Sequence, residues 1–229
     1  CYNSAAARAW GGGIFCDECA TSTVASCTIG HNSAKSSGGG MHNYMSLPTL
    51  TDCLFSKNTA QLLGGGLGNN SSSAPTLIRC RFVGNSAVTV GGAVVNTDSA
   101  HPHFIECSFT GNQATQGNGG AVWNSTTGAL FPRFTRCVFN GNTASMFGGA
   151  IFNEASKPTI TECILWGDAA TKGPEVFNNN ASAPVVTYSY VQGGYPGAGN
   201  SATNPPPLLI VAPSVQSIAA VETTVAFAV

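Results

Sequence analysis

Cys27, Cys53, Cys80, Cys107, Cys137 and Cys163 follow one another at intervals of 26, 27, 27, 30 and 26 residues, and other residue types keep step with them. Two places after each cysteine stands a large apolar residue: Ile29, Phe55, Phe82, Phe109, Phe139 and Leu165. Five places after stands Asn32, Asn58, Asn85, Asn112 or Asn142, with Asp168 in the last repeat. An alanine, a glycine pair (in all but the last unit), a second asparagine (Asn43, Asn69, Asn96, Asn124, Asn153, Asn178) and a proline complete each unit. A fixed period of this length, held in several residue types at once, signals a stacked repeat architecture.

Glycine pairs and prolines interrupt every stretch long enough for a helix. The apolar segments are short and strand-like, as in Thr49-Leu50-Thr51, with turn residues on either side. Three short strands in about 27 residues suit one triangular coil of a solenoid. The expected fold is all-β, a parallel β-helix of about seven coils of 26–30 residues. Coils stacked roughly 4.8 Å apart would give a rod roughly 35 Å long. The helix is expected over residues 1–204, followed over 205–229 by a proline-rich linker and an extended strand tail. In the tail, Val225, Phe227 and Val229 alternate with Thr224, Ala226 and Ala228.

F-x-x-N, at Phe55 with Asn58, Phe82 with Asn85, Phe109 with Asn112 and Phe139 with Asn142, precedes G-G-A-[VI] at 91–94, 119–122 and 148–151. This pairing resembles the repeat of chlamydial polymorphic outer-membrane proteins and of related secreted bacterial β-helix proteins. The stretch from Val191 through Pro205 is similar to one that closes such helices. The resemblance covers residues 3–205 and, with the usual crossover rule, implies a right-handed coil. It further implies extracellular or cell-surface display, adhesion or structure. Chlamydial members end in a membrane β-barrel, for which nothing here is long enough.

Stacking turns each series into a ladder. The six cysteines are expected inside as free thiols, because parallel Cβ vectors about 4.8 Å apart miss the separation a disulfide prefers. The asparagines are expected to pass amide hydrogen bonds from coil to coil. The residue before each ladder cysteine alternates in sign through Asp52, Arg79, Glu106, Arg136 and Glu162, which predicts an inter-coil salt-bridge ladder opposing register slips. Cys16 and Cys19 lie outside the ladder as a lone C-x-x-C; a local disulfide, alone or rearranged with Cys1, is expected there rather than zinc. Cys1 also allows a lipidated terminus. Asn3, Ala5 and the glycines at 11–13 match the repeat, so the chain reads as starting within a coil.

Only 8% of residues are charged and the net charge is −1, so neither nucleic acid nor an anionic membrane is expected as a partner. Catalysis is not expected. Asn96-Thr97-Asp98 matches the start of a polygalacturonase motif, but the companion acidic, His-Gly and Arg-x-Lys elements are missing. Asp98, His101, His103 and Glu106 read as a solvated turn rather than a metal site, and no cofactor is expected. Glycan acceptors of the form N-x-[ST] occur at Asn70 and Asn180, and less suitably at Asn69 and Asn124, because an inward asparagine cannot carry a sugar.

The expected function is therefore a non-enzymatic extracellular structural subunit of a surface layer or fibre. Head-to-tail self-association would run through donation of the tail, Val225, Phe227 and Val229 included. The alternative is a monomeric adhesin or carbohydrate-binding module. That class would display an exposed aromatic row, and its candidates Trp123, Phe152 and Phe177 are expected to face inward.

Overall fold

The computed structural model describes residues 10–19, 22–125, 128 and 131–205. It is a right-handed parallel β-helix whose strands stack into four parallel sheets. Three sheets hold seven strands and the fourth holds five. One complete coil shows the order. Val94–Thr97 lies in the first sheet, His103–Ile105 in the second, Ser108–Thr110 in the third and Gln113–Ala114 in the fourth. The fourth strand, only two residues long, is an addition to the triangular coil expected from sequence, and it falls on the Asn-x-Ala step.

Register follows the repeat. Phe82 pairs with Phe55 and Phe109, and Asn96 with Asn69 and Asn124. Phe55, Phe82, Phe109 and Phe139 stack with ring centroids 4.6–4.9 Å apart. Phe104 and Phe134 form a second stack at 5.0 Å that meets the first edge-on. Such pairs contribute about 0.5–1.5 kcal/mol each beyond the burial of their area.

The glycine pair sets the corner before the first sheet. Gly91 has φ +64°, a left-handed conformation that costs glycine nothing. A Cβ on Gly92 would stand 2.2 Å from the carbonyl oxygen of Gly120 in the next coil. The backbones there stack too closely for any side chain.

The C-terminal end of the core is covered by the chain's own residues. Tyr195 packs against the core, and its hydroxyl accepts a hydrogen bond from Asn178 Nδ2 at 2.7 Å. Asn200 accepts from the Ser189 amide at 3.0 Å and donates to the Val186 carbonyl at 2.9 Å. The tail with Val225, Phe227 and Val229 lies outside the described residues, as do Cys1, Asn3 and Ala5.

Candidate functional site

Two asparagine ladders run inside the rod. In the first, Asn58 Nδ2 donates to Asn85 Oδ1, Asn85 Nδ2 to Asn112 Oδ1, and Asn112 Nδ2 to Asn142 Oδ1, at 2.8–3.0 Å. Each Oδ1 also accepts the backbone amide of the preceding rung, as Asn112 Oδ1 does from Asn85 N at 3.0 Å. The ladder ends at Asp168, whose Oδ1 accepts both the amide and the Nδ2 of Asn142 at 2.7 Å. The second ladder runs from Asn43 through Asn69, Asn96, Asn124 and Asn153 to Asn178. Its register carries Cys16 opposite Asn43. The buried Cys16 thus fills a rung that asparagine holds in every later coil, and Asn43 Oδ1 has no donor. Cys16 and Cys19 are both free thiols, against the expected local disulfide.

Five ladder cysteines are buried free thiols: Cys53, Cys80, Cys107, Cys137 and Cys163. Each donates to a carbonyl of the preceding coil, as Cys107 Sγ does to Leu77 at 3.4 Å. Burial pushes the Cys107, Cys137 and Cys163 thiols well above their ordinary value. Cys27 departs from the expectation: it is exposed.

Beside Asp168, Glu175 is also buried, and Asp168 Oδ2 and Glu175 Oε2 have no hydrogen-bond partner. Burial raises Asp168 to about 6 and Glu175 to about 9. The repeat gave no sign of Glu175, which follows Pro174 where other coils carry alanine or glycine.

The charged column lies outside. Asp52, Arg79, Glu106, Arg136 and Glu162 all have φ between 50° and 56°, so each occupies a tight left-handed corner with its side chain in solvent. Arg79 grips Asp52 through Nε and NH2 at 2.8 and 2.9 Å. Its guanidinium holds the Asp52 carboxyl below the ordinary range. Arg136 reaches Glu106 at 3.0 Å and Glu162 at 3.7 Å. A groove of about 420 Å³ opens at the C-terminal end of this column, with Arg136, Glu162, Tyr188 and Tyr190 among its walls.

Trp123, Phe152 and Phe177 correct the expected inward row. Their strand neighbours Val122, Asn124, Ile151 and Asn153 point into the core, so strand alternation places the three aromatics on the other face of the first sheet, where Phe152 is itself buried and Trp123 and Phe177 are half-buried. They form a shelf on the outer face of the first sheet, where Phe177 stacks on Phe147 at 4.7 Å and on Phe152 at 5.6 Å. The shelf's N-terminal end carries Trp10, Phe15 and His42 in mutual contact, and burial lowers His42 to about 4.

The remaining candidates are dispersed. Asn69 and Asn124 are buried in the second ladder, Asn70 is half-buried and Asn180 is exposed, donating to Glu154. His101 turns to the Ser99 carbonyl and His103 to Thr135 Oγ1. Among the described residues no three His, Cys, Asp or Glu side chains converge as metal ligands.

The family model for the right-handed β-helix region matches residues 2–133, more than half of the chain. The model for the chlamydial polymorphic membrane protein repeat matches residues 136–154. No curated protein and no solved structure matches the chain.

Proposed function

The chain belongs to the right-handed β-helix family, and from that premise we propose that it is a non-enzymatic rod displayed outside the cell, whose outer faces do the binding. The observation that carries this reading is the division of labour across the sheets. Inside, the cysteine, phenylalanine and asparagine ladders serve only to stack the coils. Outside, a charged column runs along the rod in fixed register and the exposed Trp10 and Phe15 stand on the first sheet, features that a rigid adhesive surface can use. The charged residues are drawn into a column of ion pairs, and the buried acids Asp168 and Glu175 lie where no substrate could reach them. The match to a surface-protein repeat over residues 136–154 supports a location at the cell surface. Antibody raised against the folded rod should label intact source cells; labelling only after lysis would contradict the reading.

A structural subunit joined head-to-tail is the second reading. A continuous stack of identical rungs favours it, and the cover that Tyr195 and Asn200 place over the last coil weighs against it. Negative-stain electron microscopy of the full chain beside a form lacking residues 208–229 separates the two. Fibres that vanish with the tail support the subunit. Separate short rods in both samples support the adhesive module.

A further inference from the structure

The charged column breaks off out of balance. Asp52, Arg79, Glu106, Arg136 and Glu162 alternate strictly, giving three acids and two bases. The next corner continues the same geometry: Tyr188 has φ 50°, and its amide donates to the Ala198 carbonyl at 2.8 Å, much as Glu162 donates to Thr187 at 3.1 Å. A base at that corner would complete the alternation. Tyrosine stands there instead, 64% exposed.

Glu162 is consequently the acid least well neutralised. Asp52, at the other end of the column, receives two parallel hydrogen bonds from Arg79. Glu162 has only Arg136 NH1 at 3.7 Å, while Arg136 commits Nε and NH2 to Glu106 at 3.1 and 3.0 Å. The Glu162 side chain is 53% exposed and opens into the groove whose walls include Tyr188, Tyr190, Val138 and Ile164. At about 420 Å³ the groove has room for a side chain with its aliphatic stem, well beyond a bare ion. Its charged wall carries a net negative charge, which turns anions away.

We propose that this groove binds the guanidinium group of an arginine presented by a partner protein, which supplies beside Glu162 the positive charge that the Tyr188 corner lacks. A planar guanidinium satisfies a carboxylate through two parallel N–H donors while stacking on an aromatic ring. The column already shows the first half of that arrangement at Arg79 and Asp52. The exposed ring of Tyr188 supplies the second half, a face for cation–π contact. The Cβ that Gly199 lacks would fall 2.3 Å from Tyr188 Cδ1, so Gly199 leaves the ring room to lie against the chain and holds it at the groove's rim. Arginine's apolar stem fits the Val138 and Ile164 wall. Bound in water at the rod surface, the contact weakens as salt rises.

This deepens the reading of the outer faces as the binding surface, and its failure would leave the cell-labelling result untouched. The test titrates the full chain with Nα-acetyl-arginine amide, following the Tyr188 and Tyr190 ring resonances by NMR. A saturable shift is expected, with the uncharged citrulline amide about tenfold weaker. Glu162→Gln should weaken arginine amide by a similar factor. Tyr188→Arg supplies that charge from within, so it should abolish binding and raise the melting temperature. Equal shifts from arginine and citrulline amides, or unchanged affinity in Glu162→Gln, would overturn the proposal. Equal binding of Nα-acetyl-lysine amide would overturn the guanidinium assignment in favour of a general cation site.

Discussion

The inner asparagine ladder and the outer charged column climb the same rod by different rules. A carboxamide carries both donor and acceptor, so one asparagine complements the next and the ladder repeats a single residue without limit. A charged group cannot complement its own kind, so the outer column has to alternate. The difference shows at the ends. The first amide ladder stops at Asp168, which accepts from Asn142 and has no amide to pass on. The second stops at the Tyr195 hydroxyl. The outer column stops at Glu162 with a charge only partly matched. Self-complementary rungs fix stacking everywhere, whereas alternating rungs fix which coil lies above which.

The largest effect is expected inside. The Asn112 side chain makes four hydrogen bonds, with Asn85 Nδ2, the Asn85 amide, Phe82 O and Asn142 Oδ1, and its own amide donates to Asn142 Oδ1 as well. Asn112→Leu leaves the buried partners of its side chain unpaired and should cost about 3–5 kcal/mol in denaturant unfolding. Asn112→Asp should also destabilise, because a carboxylate in mid-ladder accepts but cannot donate to Phe82 and Asn142. If Asn112→Asp left stability unchanged, self-complementarity would not be what matters.

The end of the ladder comes next. Asp168 and Glu175 are raised by burial to about 6 and about 9, so the fold favours their protonated forms. The stability they contribute is complete below about pH 4 and is lost as pH rises through 6 towards 9. Glu175→Gln should flatten that decline, gaining about 1–3 kcal/mol at pH 8 over wild type while changing little at pH 4. Melting curves across pH 4–9 would show it. Parallel pH profiles for the two proteins would count against a buried acid pair.

The smallest effect is expected outside. Arg136→Gln removes exposed ion pairs and should cost less than about 1 kcal/mol. Arg136→Glu places three acids in successive coils and should cost about 1–2 kcal/mol, with the excess shrinking in high salt. Equal costs for the two would mean that alternation is incidental.

Much of this was legible in the sequence because identical residues at one period must share a column. The cysteine, phenylalanine and asparagine ladders and the sign alternation are all properties of such columns. Periodicity does not say which side of a sheet a column faces. Trp123, Phe152 and Phe177 share a repeat position, and that alone suggested a core row. The clue lay one residue to either side: Val122 and Asn124 belong to inward series, so alternation turns Trp123 out. The register of Cys16 with Asn43 was hidden because the residue type changes at that rung. Tyr195, Asn200 and Glu175 act once each, at an end, and a residue used once leaves no period to find. The fourth short strand was missed because Asn-x-Ala reads as a turn until the next coil pairs with it.

Thiol accessibility tests the separation of inside from outside most directly. Native protein exposed briefly to iodoacetamide, then digested and analysed by mass spectrometry, should carry label at the exposed Cys27 and the partly exposed Cys19. Cys53, Cys80, Cys107, Cys137 and Cys163 should stay unlabelled until denaturant is added. Native labelling of any of those five at the rate of Cys27 would contradict a rod built on inward ladders.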